Sequence, residues 1–115
     1  MSPLPFLPTS LLVLATVAAP AHAADPVTVV LTIKDHRFSP ATATVPAGQR
    51  FRIQVTNQDP TPEEFESHDL KVEKIVAPGA TVTVNAGPLK PGTYPFFGDY
   101  NPDSAKGTIT AAEAK

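Results

Sequence analysis

Four carboxylates and a histidine fall within the seven residues Glu63-Glu64-Phe65-Glu66-Ser67-His68-Asp69. Carboxylate oxygens and an imidazole nitrogen are the donors that hold hard and borderline cations. In an extended segment, side chains two positions apart share a side. Glu64, Glu66 and His68 then face one way, with Phe65 turned toward a core. Such a set can converge on one cation; the alternative is an acidic, solvent-facing loop with no ligand. Residues 59–73 carry Asp59, Glu63, Glu64, Glu66, Asp69 and Glu73 against Lys71 alone. A local acidic field of that kind favours cationic partners.

The elements that must position these residues read as strands. Val27, Val29, Leu31 and Ile33 alternate with more polar neighbours, as a half-buried strand does. Thr42–Val45 is a short second strand, stopped by the turn residues Pro46-Ala47-Gly48-Gln49. Phe51, Ile53 and Val55 give the clearest period-two pattern of the chain. The segment from Asn57 to Glu63 holds Pro60 and Pro62, which cannot donate to a ladder, and reads as a loop. Leu70, Val72 and Ile75 mark another strand, followed by Thr81–Asn85, Thr93–Phe97 and Gly107–Ala111. No window after the amino-terminal apolar run shows a helical stripe. About seven short strands separated by turn signals predict an all-β, antiparallel β-sandwich in a single domain.

The amino-terminal segment does not belong to that sandwich. Leu11–Ala19 is apolar but too short to span a bilayer stably, and Ala21-His22-Ala23 is a small-x-small cleavage pattern. The expectation is a secretory signal peptide over residues 1–23, a domain over 24–115 and a periplasmic location. Met1–Ser10 lacks Lys and Arg, so an uncleaved anchor is the alternative. The chain has no cysteine, so no disulfide supports the fold in an oxidising compartment. Its formal net charge of −2 argues for neither nucleic acid nor an anionic membrane as partner. No serine or cysteine nucleophile stands near a base in sequence, which leaves hydrolytic catalysis without support.

Pro46-Ala47-Gly48-Gln49 with Phe51, Ile53 and Val55, then His68-Asp69-Leu70, Ala77-Pro78-Gly79 and Pro91-Gly92-Thr93-Tyr94-Pro95-Phe96 resemble, in order and spacing, the cupredoxins. The resemblance covers about 27–111 and implies a Greek-key sandwich of cupredoxin type. In blue-copper relatives the loop after Tyr-x-Phe supplies a cysteine, a histidine and usually a methionine. Here Gly98 stands in the cysteine position, Asn101 in the histidine position, and Ala105 and Lys106 in the methionine region. A type 1 blue copper site needs its thiolate, so that electron-transfer chemistry is excluded. His68 stands where blue-copper cupredoxins place their first histidine ligand.

Glu64-Phe65-Glu66-Ser67, Glu73-Lys74, Gly87-Pro88-Leu89-Lys90-Pro91-Gly92 and Phe96-Phe97-Gly98-Asp99 look more like cysteine-free bacterial cupredoxin-like proteins. Proteins of that type accompany periplasmic ferrous-iron uptake systems and their iron permease. The resemblance implies an iron or copper ion held by Glu64, Glu66, His68, Glu73 and Asp99. Each has a plain alternative: His68 hydrogen-bonded at a strand end, Glu73 paired with Lys74, Asp99 an ordinary turn acid. His36 reads as a solvated loop residue. Three functions remain in view: a periplasmic metal-binding accessory of iron uptake, partnered by an inner-membrane iron permease or another periplasmic component; a ferroxidase; and a metal-free interaction module. Carboxylates with one imidazole suit Fe(II), Fe(III), Mn(II) or Cu(II) better than Cu(I), which prefers sulfur.

Overall fold

Alternation between Val27 and Lys34 closes into strand β1 (Val27–Lys34), which buries Val29, Leu31 and Ile33. The chain turns through Asp35 and His36 into the short β2 (Arg37–Ser39), with Lys34 opposite Arg37. Both turn residues take positive φ, 52° and 57°, as a primed two-residue hairpin demands. Glycine usually supplies that geometry; here the buried Asp59 carboxylate does, accepting the N–H groups of Asp35 at 2.7 Å and His36 at 2.9 Å. The His36 hydrogen bond is the main reason that the Asp59 carboxyl stays below its ordinary range, against the opposing effect of desolvation.

β3 (Thr42–Pro46) crosses to a second layer, and β4 (Phe51–Asn57) returns beside β1. β5 (Glu63–Ser67) and β6 (Val72–Val76) form a hairpin in the second layer. β7 (Thr81–Ala86) rejoins the first, and β8 (Gly92–Gly98) and β9 (Lys106–Ala112) complete the second. The sheets run β2-β1-β4-β7 and β3-β9-β8-β5-β6. The computed structural model describes residues 2–6, 8, 10–16 and 25–113, and no helix occurs among them.

The sandwich is as expected, but its sheets are mixed rather than antiparallel throughout. β1 pairs β4 in parallel and β3 pairs β9 in parallel, because an intervening excursion into the opposite layer brings the chain back in the same direction. Nine strands form, where the pattern suggested about seven. β2 is too short to show periodicity, and β5 carries Glu63 and Ser67 at core-facing positions, which masks its strand character. Ile75, which helped to mark its strand, lies on the outward side of edge strand β6 and is 57% exposed.

The core gathers Leu31, Ile33, Ile53 and Val55 from one layer and Phe65, Val76, Phe96 and Ile109 from the other. Phe38 of β2 joins the layers. Its ring meets Phe96 at 5.0 Å and Phe65 at 5.8 Å, edge to face in both cases. Such pairs add to the burial of the rings themselves. Outside this core, Leu11, Leu12, Val13 and Leu14 are exposed, and residues 10–16 join no strand. The expected cleavage pattern Ala21-His22-Ala23 lies outside the described residues. Among those that are described, no helix is long and apolar enough to cross a membrane.

Phe65 is wholly buried at the centre of the aromatic trio. Phe65→Ala is expected to cost about 3–5 kcal/mol of stability, the range for emptying a buried aromatic position. Urea unfolding checks this; a loss well under that range would mean the trio is not the keystone of the core.

Candidate metal centre

β5 presents different chemistry on its two sides. Phe65 faces the core with Glu63 and Ser67, so Glu64 and Glu66 project from the outer face of the five-stranded sheet. On one side, β6 sets Glu73 directly opposite Glu66 and Ile75 opposite Glu64. On the other, β8 sets Phe97 opposite Glu66. Just beyond β8 the Asp99 N–H donates to the Glu64 carbonyl at 2.9 Å, which continues the ladder by one residue. One carboxylate oxygen from each of Glu64, Glu66 and Asp99 then lies within 4.8 Å of the others.

Crowding like charges on one face has a measurable cost. The Glu64 carboxyl is pushed up from an ordinary 4.5 to about 7. A hydrogen bond with the Glu73 carboxyl is the largest cause, followed by burial and by the charges of Glu73, Asp99 and Glu66. Two carboxyls sharing a site cannot both ionise freely, so a proton stays between them. Among the described residues, no Lys or Arg nitrogen comes within 4.0 Å of these acids to relieve the repulsion. Glu73 therefore does not pair with Lys74. Neighbours on a strand point to opposite faces, and Glu73 turns toward Glu64 instead.

His68 stays on the side of Glu66 and Phe97, as the alternation suggested, but beyond the end of the strand. β5 ends at Ser67, whose hydroxyl accepts the Leu70 N–H at 3.2 Å, and the chain turns back through Lys71 at φ 56°. The His68 ring lies at the rim, 79% exposed, with Nδ1 3.9 Å from Glu66 Oε1 and its face tilted against Phe97 at 5.5 Å. It is outside the group of converging donors. With Glu66, Lys71 and Glu73 it lines a shallow groove of about 240 Å³. Of the five expected ligands, Glu64, Glu66 and Asp99 come together, Glu73 touches Glu64, and His68 stands at the margin.

The inward side of β5 decides the question of blue copper. Glu63 is 1% exposed, and its Oε1 accepts the N–H groups of Glu64 at 3.0 Å and Tyr100 at 2.9 Å. Its Oε2 accepts the Asn101 side-chain amide at 2.6 Å. A Cβ at Gly98 would lie 2.6 Å from Glu63 Cδ and 2.7 Å from Ala105 Cβ. The cysteine position is thus filled by the Glu63 carboxylate, and Asn101 is bound to it. A type 1 site does not fit here. An oxygen-ligated cation fits the outer face, where converging carboxylates retain a proton for want of positive charge. Glu63 entered the sequence reading only as one acid among several. Its parity with Phe65 was the available sign that it points inward.

The cupredoxin-like domain family matches residues 7–111 of this chain. An uncharacterized protein of Rickettsia prowazekii (strain Madrid E) is 49% identical over 81 residues, covering 70% of this chain and 65% of that relative. Part of that relative therefore lies beyond what this chain spans. Among solved structures, auracyanin A, a blue copper protein from Chloroflexus aurantiacus, is similar with a TM-score of 0.65 at 16% identity, over 76% of this chain and 99% of its own. The metal binding domain of the Cu(I) exporting P-type ATPase CopA of Streptococcus pneumoniae D39, solved with Cu(I), gives a TM-score of 0.67 at 15% identity, over 75% and 85%. Amicyanin from Paracoccus versutus gives 0.58 at 17%, over 84% and 90%. At these identities the likeness is one of fold.

The raised Glu64 carboxyl makes a pH prediction with a definite sign. Between 4.5 and about 7 the folded chain holds a proton that the unfolded chain has released, so this group's stabilising contribution is lost as pH rises through that window. Asp59 acts in the opposite sense, but only at and below its ordinary 3.8. Thermal unfolding in chelator should show stability falling from pH 4.5 to 7 in wild type and a flatter profile in Glu64→Gln. Identical slopes in the two proteins would show that no proton is held at Glu64.

Proposed function

The chain belongs to the cupredoxin-like domain family, and on that premise we propose that it is a periplasmic metal-binding protein that carries iron or copper as an accessory of an iron-uptake system. The observation that carries the reading is the convergence of Glu64, Glu66 and Asp99 within 4.8 Å, with the Glu64 carboxyl pushed up to about 7. Those three carboxylates would hold the ion, with Glu73 completing the acidic wall and His68 at its rim. The ion would supply the positive charge that the shared proton now supplies. All-oxygen donors with a nearby imidazole favour Fe(II), Fe(III), Mn(II) or Cu(II) over Cu(I).

Copper is supported by the company this fold keeps, since similar structures include a blue copper protein and a Cu(I)-bound domain. Iron is supported by the resemblance of Glu64-Phe65-Glu66-Ser67 and Phe96-Phe97-Gly98-Asp99 to proteins that accompany iron permeases. A permease or another periplasmic component would receive the ion. The periplasmic location is supported by the apolar run Leu11–Ala19 and the small-x-small pattern after it.

Calorimetric titration with Cu(II), Mn(II) and anaerobic Fe(II) tests the proposal. Binding should raise thermal stability with ion concentration, by about 2.7 kcal/mol at a hundredfold excess over Kd. Bound Cu(II) should show no intense blue thiolate band. Asp99→Asn and Glu66→Gln should weaken binding while the fold persists. No binding of any of these ions, or equal affinity in wild type and both variants, would overturn the reading.

A further inference from the structure

Asp99 reaches the acidic face only because the turn that carries it is pinned from below. Gly98 N–H donates to the Ala105 carbonyl at 2.8 Å, and Asp99 N–H to the Glu64 carbonyl at 2.9 Å. The next two residues are both fastened to one side chain, Tyr100 through its N–H and Asn101 through its amide, each to Glu63. The same carboxylate accepts the N–H of Glu64. One buried group therefore ties together the strand that carries Glu64 and Glu66 and the turn that carries Asp99.

We infer that Glu63 is the positioning residue of the outer-face cluster: its carboxylate fixes the 98–101 turn against β5 and so sets Asp99 beside Glu64 and Glu66. This rests on the metal-binding reading above. Glu63 itself does not touch the ion, because both of its oxygens are engaged on the core side of the sheet while the cluster lies on the outer side. Gly98 belongs to the same device, since a side chain there would displace the carboxylate. Partners that orient ligands in this way carry about 10- to 100-fold in metal affinity.

Charge and geometry can be separated at this position. Glu63→Asp keeps the charge but is one methylene too short to span all three donors. Glu63→Gln loses the charge but keeps the reach: its Oε1 can accept both N–H groups, and Asn101 can turn its amide to present Oδ1. Asn101→Ala removes one tie without altering any carboxylate. The probe is Cu(II) alone, read by affinity and by the EPR spectrum, with hydrogen exchange at the Asp99 and Tyr100 amides in the metal-free proteins.

Positioning predicts that Glu63→Asp binds about 10- to 100-fold more weakly with an altered spectrum and faster exchange at both amides. Glu63→Gln should stay close to wild type in spectrum and exchange, and Asn101→Ala should fall between. The reverse order, with Glu63→Asp at wild-type affinity and Glu63→Gln weakened, would overturn the inference in favour of a simple charge effect. Should Glu63→Asp fail to fold, Asn101→Ala decides: an unchanged spectrum and unchanged exchange overturn it. If wild type binds no Cu(II), the copper form of the metal-binding reading fails, and the order of amide exchange alone supports or overturns the role of Glu63.

Discussion

A carboxyl group sealed inside an apolar sandwich must find hydrogen-bond partners for both of its oxygens. Glu63 meets that demand by drawing in backbone and side-chain donors from a turn almost forty residues away in sequence, Tyr100 and Asn101 at separations of 37 and 38. Much else at this end of the molecule follows from it. Position 98 must be glycine, Asn101 must offer its amide inward, and the backbone of Asp99 must run alongside Glu64. The outer face inherits its acids from an arrangement made on the inner face. Removing one of those donors would leave a buried acceptor short, which costs more than the bond itself contributes.

The fold was legible wherever a strand had a clean apolar side. Phe51, Ile53 and Val55 announce β4 unaided, and the same holds for Val29, Leu31 and Ile33 in β1. β5 was opaque because two of its three inward residues are Glu63 and Ser67, polar groups whose partners lie far along the chain. Parallel pairing of β1 with β4 was hidden for a related reason: alternation reports a strand's faces and says nothing about its neighbour. At the site, the two-residue spacing of Glu64 and Glu66 told truly which side they share. It also placed His68 on the side of Glu66, but it could not show that the turn, where Ser67 Oγ captures the Leu70 amide, leaves the ring at the rim. Asp99 was reachable only through the family resemblance, since no local pattern joins it to β5.

The two sides of this sheet offer different kinds of binding. The inner side, where Gly98 and Glu63 meet, is closed and filled by the carboxylate. The outer side is a shallow acidic surface open to solvent at Asp99 and His68. A cation bound there as proposed would take the place of the proton that the raised Glu64 carboxyl holds, one positive charge for another.

The contact between Gly98 and Glu63 has a further meaning for how such chains change over time. Placing a cysteine at 98 alone would drive its Cβ into the carboxylate, and trimming Glu63 alone would strand the donors of Tyr100 and Asn101. Either single step is destabilising, and even both together leave the new Cβ 2.7 Å from the Cβ of Ala105. Positions coupled in this way do not contribute additively. No single substitution therefore converts this end of the fold to a thiolate site: positions 63, 98 and 105 have to change together.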